Sequence, residues 1–408
     1  MEQNNISLAM IVKNEGENLP RCLDSVKNCV DEMIIVDTGS TDNTKEIALS
    51  YGAKVYDYQW NDDFAKARNY GLQYVSADWV LVLDADEVFN SKVISQIKPL
   101  IEKDNSLVIN LIRQEIGTIS SPYSSLSRLF RRHPDIRFSR PYHALIDDSV
   151  IALQQKEKSW KILDLVEIAI QHYGYQPQII AQQEKSQRAL KAMEIYFAQN
   201  PQDAYVCNKL GALYVSLGEV KKGLKLLKTG LKSNLAASTV LFELHYHLAN
   251  AYVKLQDISL AVKHYQKAIA LPILGKLKLG AYHNFASLCY QRGQYQQALN
   301  LYRQCITIEP HYALAYYNLG LTHRAMGNIS LAMETYHQAI KLNPEYPWAY
   351  QNLGVLLLQQ GYTQESASIF QKAYDLHKQQ NPEVAESLKE ELKLIGLNLV
   401  NEEERSHG

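Results

Sequence analysis

Residues 279–312 and 313–346 match one another at an offset of 34, and this period constrains the fold of the chain more tightly than any other feature. Tyr282 falls opposite Tyr316, Phe285 opposite Leu319, Ala286 opposite Gly320 and Gly293 opposite Gly327. Ala298 then meets Ala332, Tyr302 meets Tyr336 and Pro310 meets Pro344. One more step reaches Tyr350, Leu353, Gly354, Gly361, Phe370 and Ala373. Earlier copies show at Leu210, Gly211, Tyr214, Gly218 and Gly223, and at Leu248, Ala249, Tyr252, Ala261, Tyr265 and Ala268. Small residues at fixed places let paired helices approach, and Tyr and Leu fill the space between them. The pattern predicts about five helical pairs over residues 204–380, stacked as an all-α solenoid. Gln182–Ala198 reads as a leading helix inside a connecting segment, 176–203. Residues 381–408 read as a capping helix, Glu386–Leu399, and a solvated tail.

Before residue 176 the pattern is different. Apolar runs at Ile6–Val12, Glu32–Val36, Ala53–Tyr58 and Trp79–Leu83 read as strands buried on both faces. Between them, 15–29, 41–51 and 62–75 carry apolar residues at helical spacing, and Gly52 can end the second of these helices. Strand–helix alternation predicts a parallel sheet covered by helices. Ligands of such sheets sit outside the carboxyl ends of the strands. Lys13-Asn14-Glu15, Asp37-Thr-Gly-Ser-Thr-Asp42 and Asp84-Ala85-Asp86-Glu87 all fall there. Clustered carboxylates repel one another, so something positive is expected among them, and hard oxygen ligands suit Mg²⁺ or Mn²⁺. Such a cation lets acidic residues line the site of an anion.

Ile11-Val-Lys-Asn-Glu15, Val36-Asp-Thr-Gly-Ser-Thr-Asp42, Phe64-Ala-x-Ala-Arg-Asn69 and Leu83-Asp-Ala-Asp-Glu87, in this order, resemble glycosyltransferase family 2 over about residues 5–175. The 34-residue units resemble tetratricopeptide repeats. Together these imply an α/β GT-A (Rossmann-like) nucleotide-sugar-binding domain over 1–175, followed by the repeat solenoid. The resemblance implies a metal-dependent, inverting transferase of hexosyl type that uses a nucleotide sugar, typically linked to UDP. It places Asp37 on the base, Glu15 near base and ribose with Val12 and Asn14, Asp84 and Ala85 at ribose or sugar, and Asp86 on the metal. Gly39 and Ser40, in a turn that brings backbone N–H groups to the ligand, join this donor set with Asp42. Asp63, Arg68 and Asn69 either flank the nucleotide or form a helix face packed under the sheet.

Further on, 91–103 reads as a helix, 107–113 as a strand and 116–126 as a flexible loop and candidate lid. Residues 127–132 and 136–140 are short, basic and strand-like. Their arginines, Arg128 foremost, are candidates to neutralise phosphate. Related enzymes often carry His-Glu where this chain has His143-Ala144. An inverting transfer needs a general base, and Asp147 or Asp148 is the candidate replacement. His143 and His172 join Asp84 and Asp86 as candidate ligands for the metal or the diphosphate.

The net charge of -1 shows no basic excess for nucleic acid, and no apolar run is long enough to span a bilayer. Five scattered cysteines without paired spacing, and a start without signal-peptide character, lead to the expectation of a cytoplasmic protein. Asn284, Asn318 and Asn352 recur at one repeat position; they either grip an extended peptide partner in the groove or brace neighbouring repeats. Two other readings stay open. One is a catalytically weak scaffold that binds a nucleotide sugar, supported by Ala144. The other is nucleotidyl transfer, which wants a glycine run after the first strand that this chain lacks.

Overall fold

A computed structural model describes the backbone of residues 5–118, 122–173, 179–233 and 236–399, and their side chains except at 179–186 and 188. It contains two compact units, 1–277 and 278–408.

The first unit opens with β1 (Ile6–Val12), α1 (Leu19–Val26), β2 (Glu32–Asp37), α2 (Thr44–Ser50), β3 (Lys54–Asp57), α3 (Phe64–Leu72) and β4 (Trp79–Val82). There follow β5 (Glu87–Phe89), α4 (Ile94–Ile101), β6 (Ser106–Glu115), β7 (Tyr123–Arg131), α5 (Asp147–Lys156) and β8 (Lys161–His172). The strands form one sheet in the order β3-β2-β1-β4-β7-β6-β8-β5. β3, β2, β1 and β4 run parallel, as the alternation predicts, with Val12 beside Asp37 and Asp37 beside Asp57. Their carboxyl ends therefore share one edge. The remainder is mixed: β7 is antiparallel to β4 and to β6, β8 is parallel to β6, and β5 is antiparallel to β8. The β6–β7 connection is too short for a crossover, which forces a hairpin.

Successive residues of β4 enter opposite cores. Trp79 and Leu81 pack with Leu8, Leu19, Leu23 and Ile35, while Val80 and Val82 pack with Ile34, Phe130, Ile146 and Val150 on the other face. This two-sided burial is why the strand reads as an unbroken apolar run.

Several boundaries differ from the expectation. The segment 136–140 forms no strand, only a bridge between Ser139 and Leu145. The expected 116–126 loop gives way to β7 at Tyr123, and residues 119–121 of that candidate lid lie outside the described residues. α5, β5 and β8 had no counterpart in the pattern.

The first unit continues through α6 (Ile179–Gln199), α7 (Ala204–Ser216), α8 (Val220–Gly230), α9 (Ser238–Lys254) and α10 (Ile258–Ala270). The second holds α11 (Leu279–Gln291), α12 (Tyr295–Ile308), α13 (Ala313–Ala325), α14 (Ile329–Leu342), α15 (Pro347–Gln359), α16 (Thr363–Gln380) and α17 (Pro382–Leu394). Among the described residues, helices α7 to α16 pack as consecutive pairs. α17 follows them, beginning earlier than the pattern suggested because Asn381 caps it and Pro382 suits its first turn. Gly327 turns α13 into α14 at φ +77. Gly320 is required by contact instead: an added Cβ would sit 2.6 Å from the ring of Tyr336. Among the described residues, no helix is long and apolar enough to cross a membrane.

Candidate functional site

The loops after β1 and β2 are stapled into one rim. Thr38 N donates to the Val12 carbonyl at 2.9 Å. Asn14, in the left-handed region at φ +54, donates its N–H to Ser40 Oγ (2.9 Å) and accepts from Thr41 N (2.7 Å). Glu15 N donates to Thr44 Oγ1 (2.8 Å) and Gly16 N to Asp42 Oδ2 (3.0 Å). Asp42 also accepts from Thr44, so its carboxylate ties the two loops together. Asp37 is almost fully buried, and its carboxylate receives Gly39 N at 3.1 Å and Ser40 N at 3.0 Å. Lys45 Nζ stands 3.5 Å away. The strand pairing thus points a rigid, oriented carboxylate at the edge, with Gly39 at φ +103 making the turn possible.

α3 supplies the next residues. Asp63 caps its N-terminus, accepting from Lys66 N at 3.0 Å. Asn69 clamps the backbone of Phe138 in both directions, at 2.9 and 2.8 Å. Arg68 lies over the Phe138 ring and reaches Asp84 Oδ1 at 2.6 Å.

The acidic cluster after β4 finds its positive partners in the protein. Arg128 binds the other oxygen of Asp84 at 2.8 Å. Glu87, fully buried, accepts from Asp84 N (2.8 Å) and pairs with Arg113 (3.0 Å). Arg113 also pairs with Glu115 (2.6 Å), Glu115 with His172 Nδ1 (2.5 Å), and His172 Nε2 with Asp86 Oδ2 (3.1 Å). Four carboxylates, three guanidiniums and one imidazole form a single chain across the edge. Burial opposes ionisation of Asp84, yet the Arg128 and Arg68 guanidiniums hold it well below the usual carboxylate range. Burial likewise opposes a charged His172, but hydrogen bonds to Asp86 and Glu115 push it up to about 9. The sequence argument that clustered carboxylates demand a cation is thus met largely by arginines. Arg113 and Glu115 were not singled out. The one signal was their i, i+2 spacing at the end of an apolar strand, which places both on one face.

Among the described residues, no group of three or more His, Cys, Asp or Glu is arranged to hold a metal. Both Asp84 oxygens are engaged by arginines. Asp86 and His172 are the residues that would hold a hard cation, which would have to displace the proton His172 keeps between Asp86 and Glu115 because a ligating imidazole is neutral. The Glu115 carboxylate behind His172 is the partner a ligating imidazole normally has. Ala85 is buried between the two aspartates. His143 stands apart from them. It lines a cavity of about 500 Å³ shared with Asp147 and Asp148.

Those two aspartates open α5 and differ in environment. Asp148 is half exposed and paired to Arg140 at 2.9 Å, and Arg140 also binds Asp203, the cap of α7, at 3.0 Å. Asp147 accepts from Ser127 Oγ at 3.3 Å through one oxygen, while the other is buried without a protein partner. Burial raises its pKa. In the second unit, Asn318 Nδ2 bonds the Leu314 carbonyl of its own helix. Asn352 joins Tyr317 and Arg324 of α13 to Trp348 of α15. Asn284 holds the equivalent place on α11.

Comparison with known proteins agrees with both halves. The model of Glycosyl transferase family 2 matches residues 7–163. TPR repeat models match 286–327 and 320–361, and a second tetratricopeptide model matches 242–272 and 349–379. A TPR repeat-containing protein of Synechococcus elongatus is 43% identical over 305 residues, 75% of this chain and 76% of that protein. An uncharacterized glycosyltransferase of Rickettsia bellii is 30% identical over 178 residues, 41% of this chain and 60% of its own length. The SPbeta prophage-derived glycosyltransferase SunS of Bacillus subtilis is 25% identical over 205 residues, 48% of this chain and 46% of that protein. The chain therefore spans three quarters of the first relative and about half to three fifths of the other two. Among solved structures, a crystal structure of MamA protein aligns at 23% identity over 44% of this chain and 96% of that one, with a TM-score of 0.38.

Proposed function

Since the chain belongs to the tetratricopeptide-repeat proteins that carry an N-terminal family 2 glycosyltransferase domain, we propose that it transfers a sugar from a nucleotide-sugar donor, UDP-linked, to an acceptor hydroxyl. The observation that supports this most is the Glu115–His172–Asp86 relay beside a carboxylate-rich strand edge. Asp86 and His172 would hold Mn²⁺ or Mg²⁺, which supplies Lewis-acid stabilisation of the departing diphosphate.

Asp37, buried and oriented by Gly39 and Ser40, would meet the single N–H of the uracil once the turn above it opens, with Val12, Asn14 and Glu15 forming the adjoining rim. Asp84, fixed by Arg68 and Arg128, faces the ribose or sugar. Arg128 keeps Nη1 buried without a protein partner, a donor that a shift of the side chain would bring to the ligand. Asp147 takes the proton of the acceptor hydroxyl. Burial raises its pKa toward the working range of a base, and it supplies the carboxylate that Ala144 does not. Direct attack by that hydroxyl on the anomeric carbon inverts the configuration. The repeats dock a protein or peptide partner, with Asn284, Asn318 and Asn352 on the binding face. Five cysteines, all free, support the reading of a reducing compartment, the cytoplasm.

Calorimetry with a panel of nucleotide sugars, with and without Mn²⁺, tests the reading. One donor is expected to bind in a Mn²⁺-dependent way and to lose binding in Asp86→Ala. No binding of any donor refutes the transferase. Binding without hydrolysis or transfer favours the scaffold reading that Ala144 suggests.

A further inference from the structure

The cavity of about 500 Å³ has walls from two sources. Ser124 and Ser127 of β7 and Asp147 of α5 belong to the transferase sheet, whereas Tyr205 and Lys209 of α7 and Glu243 of α9 belong to the first two helical pairs. Arg113 also lines it and pairs with Glu87 and Glu115, so the cavity adjoins the donor edge. We propose that this cavity is the acceptor site, that it takes a neutral saccharide, and that the first repeat helices are part of its wall. The inference rests on the transferase reading above and deepens it.

Three observations carry it. Asp147 Oδ2, Ser124 Oγ and Arg113 Nε, all on residues lining the cavity, are buried without a protein partner. Buried polar atoms are normally satisfied, and three such groups set just beneath one cavity surface make that wall a polar one. The charges around the cavity are mixed and mutually engaged. Lys209 Nζ lies 2.6 Å from Glu243 Oε2, and Arg140 lies between Asp148 and Asp203. A polyanion would meet carboxylates and a polycation would meet guanidiniums, whereas a hydroxyl both donates and accepts and suits either. The volume lies within the ordinary range for a small-molecule site. The wall is also braced, with Arg140 and Lys209 over the Tyr205 ring at 5.1 and 5.3 Å.

In the transfer, one acceptor hydroxyl gives its proton to Asp147. Its oxygen forms the new bond to the anomeric carbon. The bond from that carbon to the diphosphate oxygen breaks, and its electron pair leaves with the diphosphate.

The test uses the full chain, Mn²⁺ and the donor found by calorimetry, with cellobiose and p-nitrophenyl hexosides as acceptor probes and a serine-containing peptide as the contrast. The double change Lys209→Met with Glu243→Met removes the ion pair without stranding a charge. It is expected to raise the saccharide KM at least tenfold. Thr239→Trp adds bulk at an exposed rim position. It is expected to cut transfer at least tenfold while donor hydrolysis without acceptor stays within twofold. An unchanged KM in both variants, or transfer to the peptide and to no saccharide, overturns the proposal while leaving the transferase standing. No donor turnover at all overturns both together.

Discussion

Arg128→Met is the sharpest probe of the strand-edge network. The guanidinium lies 2.8 Å from Asp84 and 3.8 Å from Glu87, with the arginine side chain 14% exposed and that of Asp84 34%. Two unit charges about 4 Å apart attract by about 4 kcal/mol at an effective dielectric of about 20. Breaking a fully buried pair costs about 3–5 kcal/mol and an exposed pair below about 1 kcal/mol. Partial exposure of Asp84 places the expected loss between them, at about 2–3 kcal/mol. Urea unfolding followed by tryptophan emission reads it, because Trp79 is buried in β4 at the centre of this sheet. Asp84→Asn in the same background should recover part of the loss, with a coupling of about 1.5 kcal/mol or more. The sign with pH follows from the depressed pKa of Asp84. Its stabilisation is complete above the unfolded value, about 4, and is lost as pH falls through the lower folded value. The gap between wild type and Arg128→Met should therefore be full at neutral pH and begin to close only below about pH 4. A loss under about 0.5 kcal/mol, or additive single and double changes, would refute the view that arginines hold these carboxylates.

Two further outcomes follow from the geometry. Glu115→Gln should weaken Mn²⁺ binding about ten- to hundredfold through His172, read by electron paramagnetic resonance; unchanged affinity removes His172 from the site. Gly320→Ala should destabilise the second unit by about 1–2 kcal/mol, read by thermal unfolding, because a methyl 2.6 Å from the buried Tyr336 ring outweighs the roughly 1 kcal/mol gained in helix propensity. Gly354→Ala, with 3.0 Å to the Phe370 ring, should cost less.

The parallel half of the sheet was legible because β1, β2 and β4 are buried on both faces and leave continuous apolar runs. β8 was not. Lys161, Ile162, Asp164, Glu167 and Val166 face outward beside buried Leu165 and Ala169, which scatters its apolar pattern. β5 is three residues long and offers no period at all. The repeats were legible for the opposite reason, since Gly320 and Gly354 answer the same steric demand one period apart. Asp37, Asp84 and Asp86 could be placed on one edge from strand order alone. Their electrostatics could not, because Arg68, Arg113, Arg128 and His172 arrive from α3, β6, β7 and β8 and meet only when the mixed half of the sheet closes.

The Arg140 clasp bears on how such a chain can be rearranged in evolution. One guanidinium, on a residue whose backbone lies at φ +75, joins the first turn of α5 to the cap of α7. A recombination breakpoint just before Asp203 would cut that clasp and strip one wall from the cavity beside Asp147. A breakpoint after α10 would leave both whole. The hairpins from α11 onward could then be exchanged or multiplied without touching either, whereas α7 and α9 would have to travel with the transferase domain.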